Sequence, residues 1–264
     1  MTARSIDAVS PGVDARAARN ARLYRMLAEN VPLMVLAVLF VGSALLSDRF
    51  LTPFNLGNVL LQASVISVLA MGMTFVIISG GFDISVGSIV ALCGCVAAWV
   101  MLAAGPLAGV LAGIGVGALC GLANGVLVAR VGLNPFIATM GTMVILRGIT
   151  LLMTHGQPIS GEAGLPQIFL AYARTSVLGL PLLTWTTIAV FILFGWLLHL
   201  SVWGKRLFAT GGNTEAAYLA GIPVARMRTM AYVISGLSAG IAGVMLASRL
   251  QSGQPTAAEG HELN

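Results

Sequence analysis

The sequence predicts an all-α, polytopic membrane protein with about seven transmembrane helices and a cytoplasmic N-terminus. Of its 264 residues, 58% are hydrophobic and only 9% are charged, whereas a soluble domain carries about 25% charged residues. So few polar side chains cannot cover a globule in water. The apolar residues form long runs without strict alternation. Because backbone groups in lipid must bond within their own segment, we expect these runs to be helices rather than strands of a barrel.

The segments follow one another in a simple order. Residues 1–29 are polar and Arg-rich, and we interpret them as a cytoplasmic N-terminal tail. Residues 30–264 form one membrane domain, in which most apolar segments are near the ~20 residues that a spanning helix needs. The first segment also fits the core of a signal peptide, although the later spans favour an anchor that stays in place. The seven segments are Val31–Leu46 and, roughly, Leu56–Ser79, Val86–Ala104, Leu107–Ala129, Pro135–Thr154, Leu182–Leu200 and Thr229–Ser248.

The basic residues orient these spans. With the N-terminus inside, ten of the 14 Lys and Arg residues fall in inside segments and three fall outside, while Arg147 lies within the fifth span. Lysine and arginine are enriched in cytoplasmic loops, so the distribution supports this orientation. It places the long polar stretch Ser201–Arg228 on the cytoplasmic side.

Several classes of function are disfavoured by what the sequence contains. Its three histidines are far apart without metal-ligand spacing, so we expect no metal site. It offers no nucleophile–base pair, so we expect no catalytic residues and no enzyme activity. No basic run is interleaved with aromatic residues, which argues against nucleic acid as a partner. Cys93, Cys95 and Cys120 lie in apolar runs and are interpreted as small hydrophobic residues.

Glycines recur at every fourth position through the fourth apolar segment. The five that lie within the predicted helix are Gly109, Gly113, Gly117, Gly121 and Gly125. Residues four apart share one helix face, and glycine there lets another backbone approach closely, which is how helices associate in lipid. We therefore predict a helix-packing face. Its partner can be within the chain or in a second protomer.

A short helix is predicted within Ser201–Arg228. Asn213 or Thr214 can cap its start, and Glu215 suits its first turn because the helix dipole favours an acid there. Gly221 can close it. A helix this short is not stable alone, so it is either a surface connector that packs on its neighbours or a docking element for a cytosolic partner.

The stretch SGGFDISVGS, residues 79–88, places one acid between two apolar runs. A carboxylate is costly in a membrane and points to function, yet Asp83 and Ser85 also suit the start of the third span. We expect a loop on the cytoplasmic side where the charge is tolerated. Asp83 then either holds the glycine turn or takes part in the solute path or its gating.

Three separate motifs carry a family resemblance. Glu215-Ala216-Ala217, three residues and then Gly221 resembles the first half of the EAA loop of ABC-importer permeases. Gly80–Ser88 and Asn134–Gly141 match two further motifs in the same order. Over roughly residues 30–264 the chain thus resembles the permease subunits of bacterial ABC sugar importers, of the ribose/xylose/galactose type, in the branched-chain amino acid/ribose permease family.

The resemblance implies a homodimeric permease of the cell inner (cytoplasmic) membrane that translocates a monosaccharide or related small solute. Its implied partners are a cytosolic ABC ATPase subunit, a periplasmic sugar-binding protein, a second permease chain and membrane lipid. ATP would be bound by the ATPase partner, so no cofactor is expected here, and the chain has no phosphate-binding G-x-x-x-x-G-K-[ST] motif. The residues Glu215, Ala216, Ala217 and Gly221 would form the ATPase-coupling loop.

Candidate residues for the translocation path or its gating are Asp83, Ser85, Asn134 and Thr139. Uncharged hydrogen-bonding groups suit a hydroxyl-rich sugar, because weak and multiple contacts let the solute leave again. Equally, amides and hydroxyls in membrane helices bond to neighbouring helices. Both interpretations stay open for these residues.

The chain departs from the family pattern at its end. Family members continue through further glycine-rich spans after a segment like Gly260–Asn264, so we expect that the C-terminal spans of the family are missing and the chain is truncated. The alternative functions are a stand-alone secondary transporter or channel, which would need more charge within the membrane, and a non-functional truncated permease. The sequence does not identify the solute.

Overall fold

The computed structural model describes residues 19–20, 30–161 and 164–258. It divides into two compact units, Met1–Leu56 and Gly57–Asn264. The predicted N-terminal tail lies almost entirely outside the described residues, as does the C-terminal segment Gly260–Asn264.

The first unit contains helix α1, Val31–Leu46. Its 16 residues are apolar but fewer than in the later spans. Phe40 of α1 packs edge-to-face on Phe50, with ring centroids 5.2 Å apart. The turn that follows is closed by Asn55, whose side chain donates to the Phe50 carbonyl over 2.8 Å.

Nine further helices and a two-stranded ribbon follow among the described residues. The ribbon pairs Ser176 with Pro181 and Val177 with Leu180. The elements are α2 (Pro53–Ile78), α3 (Val86–Ala104), α4 (Pro106–Ala129), α5 (Pro135–Thr154), α6 (Gln167–Arg174), β1 (Ser176–Val177), β2 (Leu180–Pro181), α7 (Leu182–His199), α8 (Val202–Gly212), α9 (Thr214–Leu219) and α10 (Val224–Leu250).

Six of these helices are long and apolar enough to cross a membrane, namely α2, α3, α4, α5, α7 and α10. The predicted all-α polytopic class is confirmed, with α1 as a shorter apolar helix. Helix α10 begins at Val224 rather than at Thr229, because hydropathy marks only the apolar part of a helix that continues into polar residues. The helices α6 and α8 were not predicted.

Helices α3 and α10 form the centre of the second unit, and most of their residues are buried. By contrast, α5 and α7 are largely exposed although they are apolar. Phe191, Ile192 and Trp196 of α7 are each more than half exposed. Lipid solvates such side chains as well as another helix does, so these two helices have the surface of lipid-facing or partner-facing spans.

The glycine face of α4 packs against backbone within the chain. A Cβ atom on Gly109 or Gly113 would meet backbone of α3, at Ala97 and Cys93. A Cβ atom on Gly117 would lie 2.9 Å from Gly240 Cα of α10, and one on Gly125 would lie 2.9 Å from Thr229 Cα. Gly121 likewise abuts the Tyr232 carbonyl. Helices α3, α4 and α10 therefore approach one another at backbone distance.

The segments that follow α5 and α10 are joined to each other. Ile159 and Gly253 exchange two backbone hydrogen bonds of 2.9 Å. Arg147 of α5 donates from Nη1 to the Pro255 carbonyl over 3.1 Å, and Ser248 donates to the Phe169 carbonyl over 2.6 Å. Arg147 thus bonds the segment that follows α10.

Candidate functional site

The loop between α2 and α3, here called the Asp83 loop (residues 79–85), begins with a glycine turn. Gly80 has φ +79°, a conformation that glycine adopts without strain. The N–H groups of Gly80 and Gly81 bond to the carbonyls of Ile77 and Val76, which ends α2. A Cβ atom on Gly81 would lie 2.8 Å from the Tyr232 hydroxyl. The chain can therefore turn sharply here only with small residues.

Asp83 organises the rest of the loop through one carboxylate oxygen. Its Oδ1 accepts from the Ser85 N–H over 2.9 Å and from the Ser85 hydroxyl over 2.6 Å. Asn124 of α4 donates from Nδ2 to Ser85 Oγ over 2.7 Å and to Asp83 Oδ1 over 3.4 Å. An aspartate that bonds the N–H two residues on forms a local turn. Asp83 therefore fixes the backbone at the point where α3 begins.

The site is closed to solvent. Asp83, Ser85 and Asn124 all have an exposed fraction of 0%, so the loop position does not expose the carboxylate to solvent. Helices α4, α5 and α10 close over the loop and exclude water. Burial raises the pKa of Asp83 above its ordinary value of 3.8, although the hydrogen bonds from Ser85 and Asn124 oppose this. The environment thus favours a neutral carboxyl.

Two buried oxygen atoms at this site have no hydrogen-bond partner, Asp83 Oδ2 and Asn124 Oδ1. A carboxylate that is desolvated and half-bonded is unfavourable. A protonated carboxyl instead carries a hydroxyl at one oxygen while the other still accepts the bonds from Ser85 and Asn124.

The other two candidate path residues lie on α5 and differ in their surroundings. Thr139 is fully buried, donates to the Pro135 carbonyl over 2.8 Å and accepts from the Ile84 N–H over 3.2 Å. Thr139 therefore joins α5 to the Asp83 loop. Asn134 is exposed and caps α5, since its side chain accepts from Phe136 N over 2.9 Å. It has no direct hydrogen bond to the Asp83 loop.

Two side chains of α10, one turn apart, hold the first half of the loop. Arg228 donates from Nε to the Ser79 carbonyl over 3.3 Å. The Tyr232 hydroxyl donates to the Phe82 carbonyl over 3.0 Å. Sequence reasoning missed both residues, because neither lies in the EAA, Asp83 or Asn134 motif. Their spacing of four, which places them on one helix face, was the available signal.

The predicted coupling region folds as the helix pair α8 and α9. Ser201 caps α8 by accepting from the Gly204 N–H over 2.9 Å. Leu207 of α8 is fully buried in a cluster with Phe75 and Met227, so the pair is anchored to the spans. Gly211 abuts the Ile78 carbonyl, with no room for a side chain. The end of α8 thus rests directly on the end of α2.

Helix α9 carries the residues of the EAA motif. Asn213 caps it by accepting from the Ala216 N–H over 2.9 Å, which settles the choice between Asn213 and Thr214. Ala217 is buried, whereas Glu215 and Ala216 are exposed. Gly221 has φ +78°, and its N–H bonds the Tyr218 carbonyl. The helix therefore packs through one alanine and presents its other side outward.

A concavity of about 1030 Å³ lies beside α9. Three arginines line it: Arg130, which directly follows α4, and Arg226 and Arg228 from α10. Tyr218 and Leu219, at the rim and end of α9, are 73% and 79% exposed. The concavity thus combines positive charge with exposed apolar surface. Its arginines lie on the side that the distribution of basic residues predicts to be cytoplasmic.

Fold and site together define a polytopic integral membrane protein, and the comparisons with known proteins define its class. Residues 55–263 match the family described as the permease component of the branched-chain amino acid transport system. The match covers most of the chain, so the chain belongs to this permease family and is a multi-pass protein of the inner membrane.

Individual relatives are similar over nearly the whole chain. The ribose import permease protein RbsC of Bacillus subtilis (strain 168) is 40% identical, over 88% of this chain and 72% of the relative. RbsC of Escherichia coli (strain K12) is 39% identical, over 90% of this chain and 75% of the relative. The L-arabinose transport system permease protein AraH of the same strain is 41% identical, over 88% and 70%. No solved structure matches the chain.

Proposed function

We propose that this chain is the transmembrane permease subunit of an ATP-binding-cassette importer that carries a monosaccharide into the cell. The observation that carries the proposal is helix α9, which stands at the surface beside three arginines. Glu215, Tyr218 and Leu219 of α9 are exposed together. Contiguous exposed apolar side chains beside charged groups mark an interaction site. The partner that covers this site is a cytosolic ATPase subunit.

The local structure suits α9 to transmit force from a partner. Six residues are too few for a stable free helix, so α9 depends on its surroundings: Ala217 is buried, Asn213 caps it, and Thr214 bonds the Thr210 carbonyl of α8 and the guanidinium of Arg228. A partner that moves α9 must therefore move what α9 is bonded to. The arginines of the concavity attract an acidic surface and orient the encounter.

The remaining parts of the importer follow from this assignment. ATP is bound and hydrolysed by the partner subunit, and the permease has no catalytic residue of its own. A second permease chain covers part of the exposed apolar surface of α5 and α7, and lipid covers the rest. The solute passes between the two chains. A periplasmic binding protein docks at the opposite end of the bundle, near the ribbon of β1 and β2.

The solute class is a neutral monosaccharide, of which the five-carbon sugars are the first candidates. Relatives at about 40% identity are named for ribose and for L-arabinose. The family description names branched-chain amino acids, but a zwitterion calls for paired charges in its path. The side chains that bond Asp83 are a hydroxyl and an amide rather than a cation, and burial raises the pKa of its carboxyl, which suits an uncharged solute.

The test is reconstitution of the full transporter. The permease is co-expressed with the ATPase and binding protein encoded beside it, purified, and assayed for ATP hydrolysis with binding protein loaded with ribose, arabinose or leucine. We expect co-purification of the ATPase and stimulation by one of the sugars but not by leucine. Solute flux through the permease without the ATPase would show a stand-alone transporter or channel. An assembled complex with no stimulation by any solute would show a non-functional chain.

A further inference from the structure

Arg228 bonds two segments that are far apart in sequence. Its Nη2 atom donates to Thr214 Oγ1 over 3.0 Å, at the first residue of α9. Its Nε atom donates to the Ser79 carbonyl over 3.3 Å, at the start of the Asp83 loop. A planar guanidinium makes such bonds in a fixed fork, so the positions of its two acceptors are related through a rigid group. Arg228 therefore relates α9 to the Asp83 loop.

Two further contacts join the same elements. Gly211, at the end of α8, leaves no room between its Cα and the Ile78 carbonyl, one residue before Ser79. Tyr232, one turn after Arg228, bonds the Phe82 carbonyl. The helix pair therefore packs on the end of α2, and side chains of α10 bond the loop carbonyls of both Ser79 and Phe82. A displacement of α8 and α9 cannot leave the loop in place unless these contacts break.

The far side of the loop contacts two transmembrane helices. Asp83 bonds Asn124 of α4, and the Ile84 N–H bonds Thr139 of α5. All three side chains, Asp83, Asn124 and Thr139, are completely buried. Buried polar bonds are costly to break without replacement, so the loop carries α4 and α5 with it. A continuous set of contacts thus leads from the surface helix α9 to the interior of the bundle.

We propose that Arg228, supported by Gly211, is the positioning residue that couples displacement of α9 to the Asp83 loop and through it to α4 and α5. This inference rests on the proposed function, because it assumes that a partner moves α9. It assigns a transport role to a residue outside the EAA, Asp83 and Asn134 motifs. Arg228 does not touch solute; it acts through Thr214 and Ser79.

The chain offers matched variants that test the contacts separately. Arg228→Gln removes the planar fork and the charge, whereas Arg228→Lys keeps the charge but loses the planar fork. Thr214→Val removes the acceptor in α9 together with the bond from Thr214 to the Thr210 carbonyl, and Thr214→Ser retains both. Gly211→Ala places a methyl group against the Ile78 carbonyl, whereas Gly212→Ala places one where nothing lies within 4 Å. Each variant thus has a control substitution of similar size, at the same position or at the next one.

The readout is the number of solute molecules transported per ATP hydrolysed, in proteoliposomes that contain permease, ATPase and loaded binding protein. We expect Arg228→Gln, Thr214→Val and Gly211→Ala to lower this ratio by about threefold or more, with Arg228→Lys intermediate. Thr214→Ser restores the ratio and Gly212→Ala keeps it. If these residues had a purely structural role, the variants would give less assembled complex, but the complex that did assemble would transport the wild-type number of solute molecules per ATP.

Two results would overturn the inference, and they are distinct. Wild-type ratios in Arg228→Gln and Gly211→Ala, with normal wild-type transport, would refute the coupling role while leaving the proposed function intact. Absence of ATP-driven transport in the wild type would refute the proposed function and the coupling role with it.

Discussion

Asn124 donates its side-chain amide to Asp83 Oδ1 over 3.4 Å, and both residues are completely buried. They are 41 residues apart in the chain and join the loop before α3 to the last third of α4. The only acid in the interior of the described bundle is therefore held by an amide and a serine rather than by a cation. This arrangement makes the ionisation state of Asp83 a property that can be tested.

Asp83→Asn should retain the fold and transport, because an amide is close in shape and charge to the neutral carboxyl. Asp83→Leu should not, since Ser85 and Asn124 would lose their acceptor at a cost of about 1–3 kcal/mol for each unsatisfied donor. Thermal unfolding of the purified permease and uptake by the assembled transporter measure the two effects. A folded Asp83→Asn protein without uptake would show that the charge itself is required.

The pH dependence gives an independent test of the same residue. The pKa of Asp83 is raised in the folded protein above its ordinary value of 3.8. As the pH rises, the carboxyl therefore loses its proton in the unfolded chain before it does so in the folded protein. The free energy of unfolding of wild type then falls relative to that of Asp83→Asn, until the pH passes the pKa of Asp83 in the folded protein. We therefore expect the free energy of unfolding of Asp83→Asn to rise relative to that of wild type as the pH increases from about 4. A relative fall instead would indicate that the fold stabilises the carboxylate.

The packing face of α4 predicts that alanine substitution at two glycines, two residues apart, will have opposite effects on stability. Gly117→Ala places a methyl group 2.9 Å from Gly240 Cα, where backbone must move, whereas Gly115→Ala meets nothing within 4 Å. Overpacking costs about 1–3 kcal/mol, and an open helical Gly→Ala change gains up to about 1 kcal/mol. We expect Gly117→Ala to lower the unfolding temperature and Gly115→Ala to hold or raise it. Equal temperatures for the two variants would contradict this packing.

Thr139 provides a test of the bond between α5 and the Asp83 loop. Thr139→Val keeps the shape of the side chain but removes the acceptor of the Ile84 N–H, whereas Thr139→Ser keeps that acceptor. A buried N–H without a partner costs about 1–3 kcal/mol. Thermal unfolding should therefore rank Thr139→Ser above Thr139→Val. The reverse order would mean that the methyl contacts of Thr139 matter more than its hydrogen bond.

The coupling residues predict loss of transport without loss of structure. Glu215→Arg adds positive charge beside three arginines, and Gly221→Val forces a branched residue to φ near +78°. Both should abolish uptake while membrane insertion stays normal. Gly221→Asn is the control, because asparagine tolerates this backbone conformation. Uptake that survives both Glu215→Arg and Gly221→Val would refute the coupling-loop assignment.

The spans and the glycine face could be predicted from the sequence because each rests on a local pattern. Hydropathy locates a span within a few residues, and glycine at every fourth position defines a helix face whatever it packs against. The partner of that face could not be predicted. That Gly117 meets Gly240 while Gly113 meets Cys93 depends on how three helices cross in space.

The environment of Asp83 could not be predicted for the same reason. The glycine turn and the serine two residues on identified a loop at a helix start, but the depth of a loop depends on its neighbours. Asn124, Thr139 and Tyr232 come from three other helices, and together they exclude water from the loop. The contact between Arg228 and Ser79 joins residues 149 apart. No local pattern in the sequence predicts a contact between residues so far apart in the chain.

The most direct test of the central claim is accumulation of labelled sugar in proteoliposomes that contain the permease, its ATPase and its binding protein. If the chain is the permease subunit of an ATP-driven importer, sugar accumulates against its gradient only with ATP on the ATPase side and loaded binding protein on the other. Accumulation that is independent of ATP, or none from a fully assembled complex, would contradict the account.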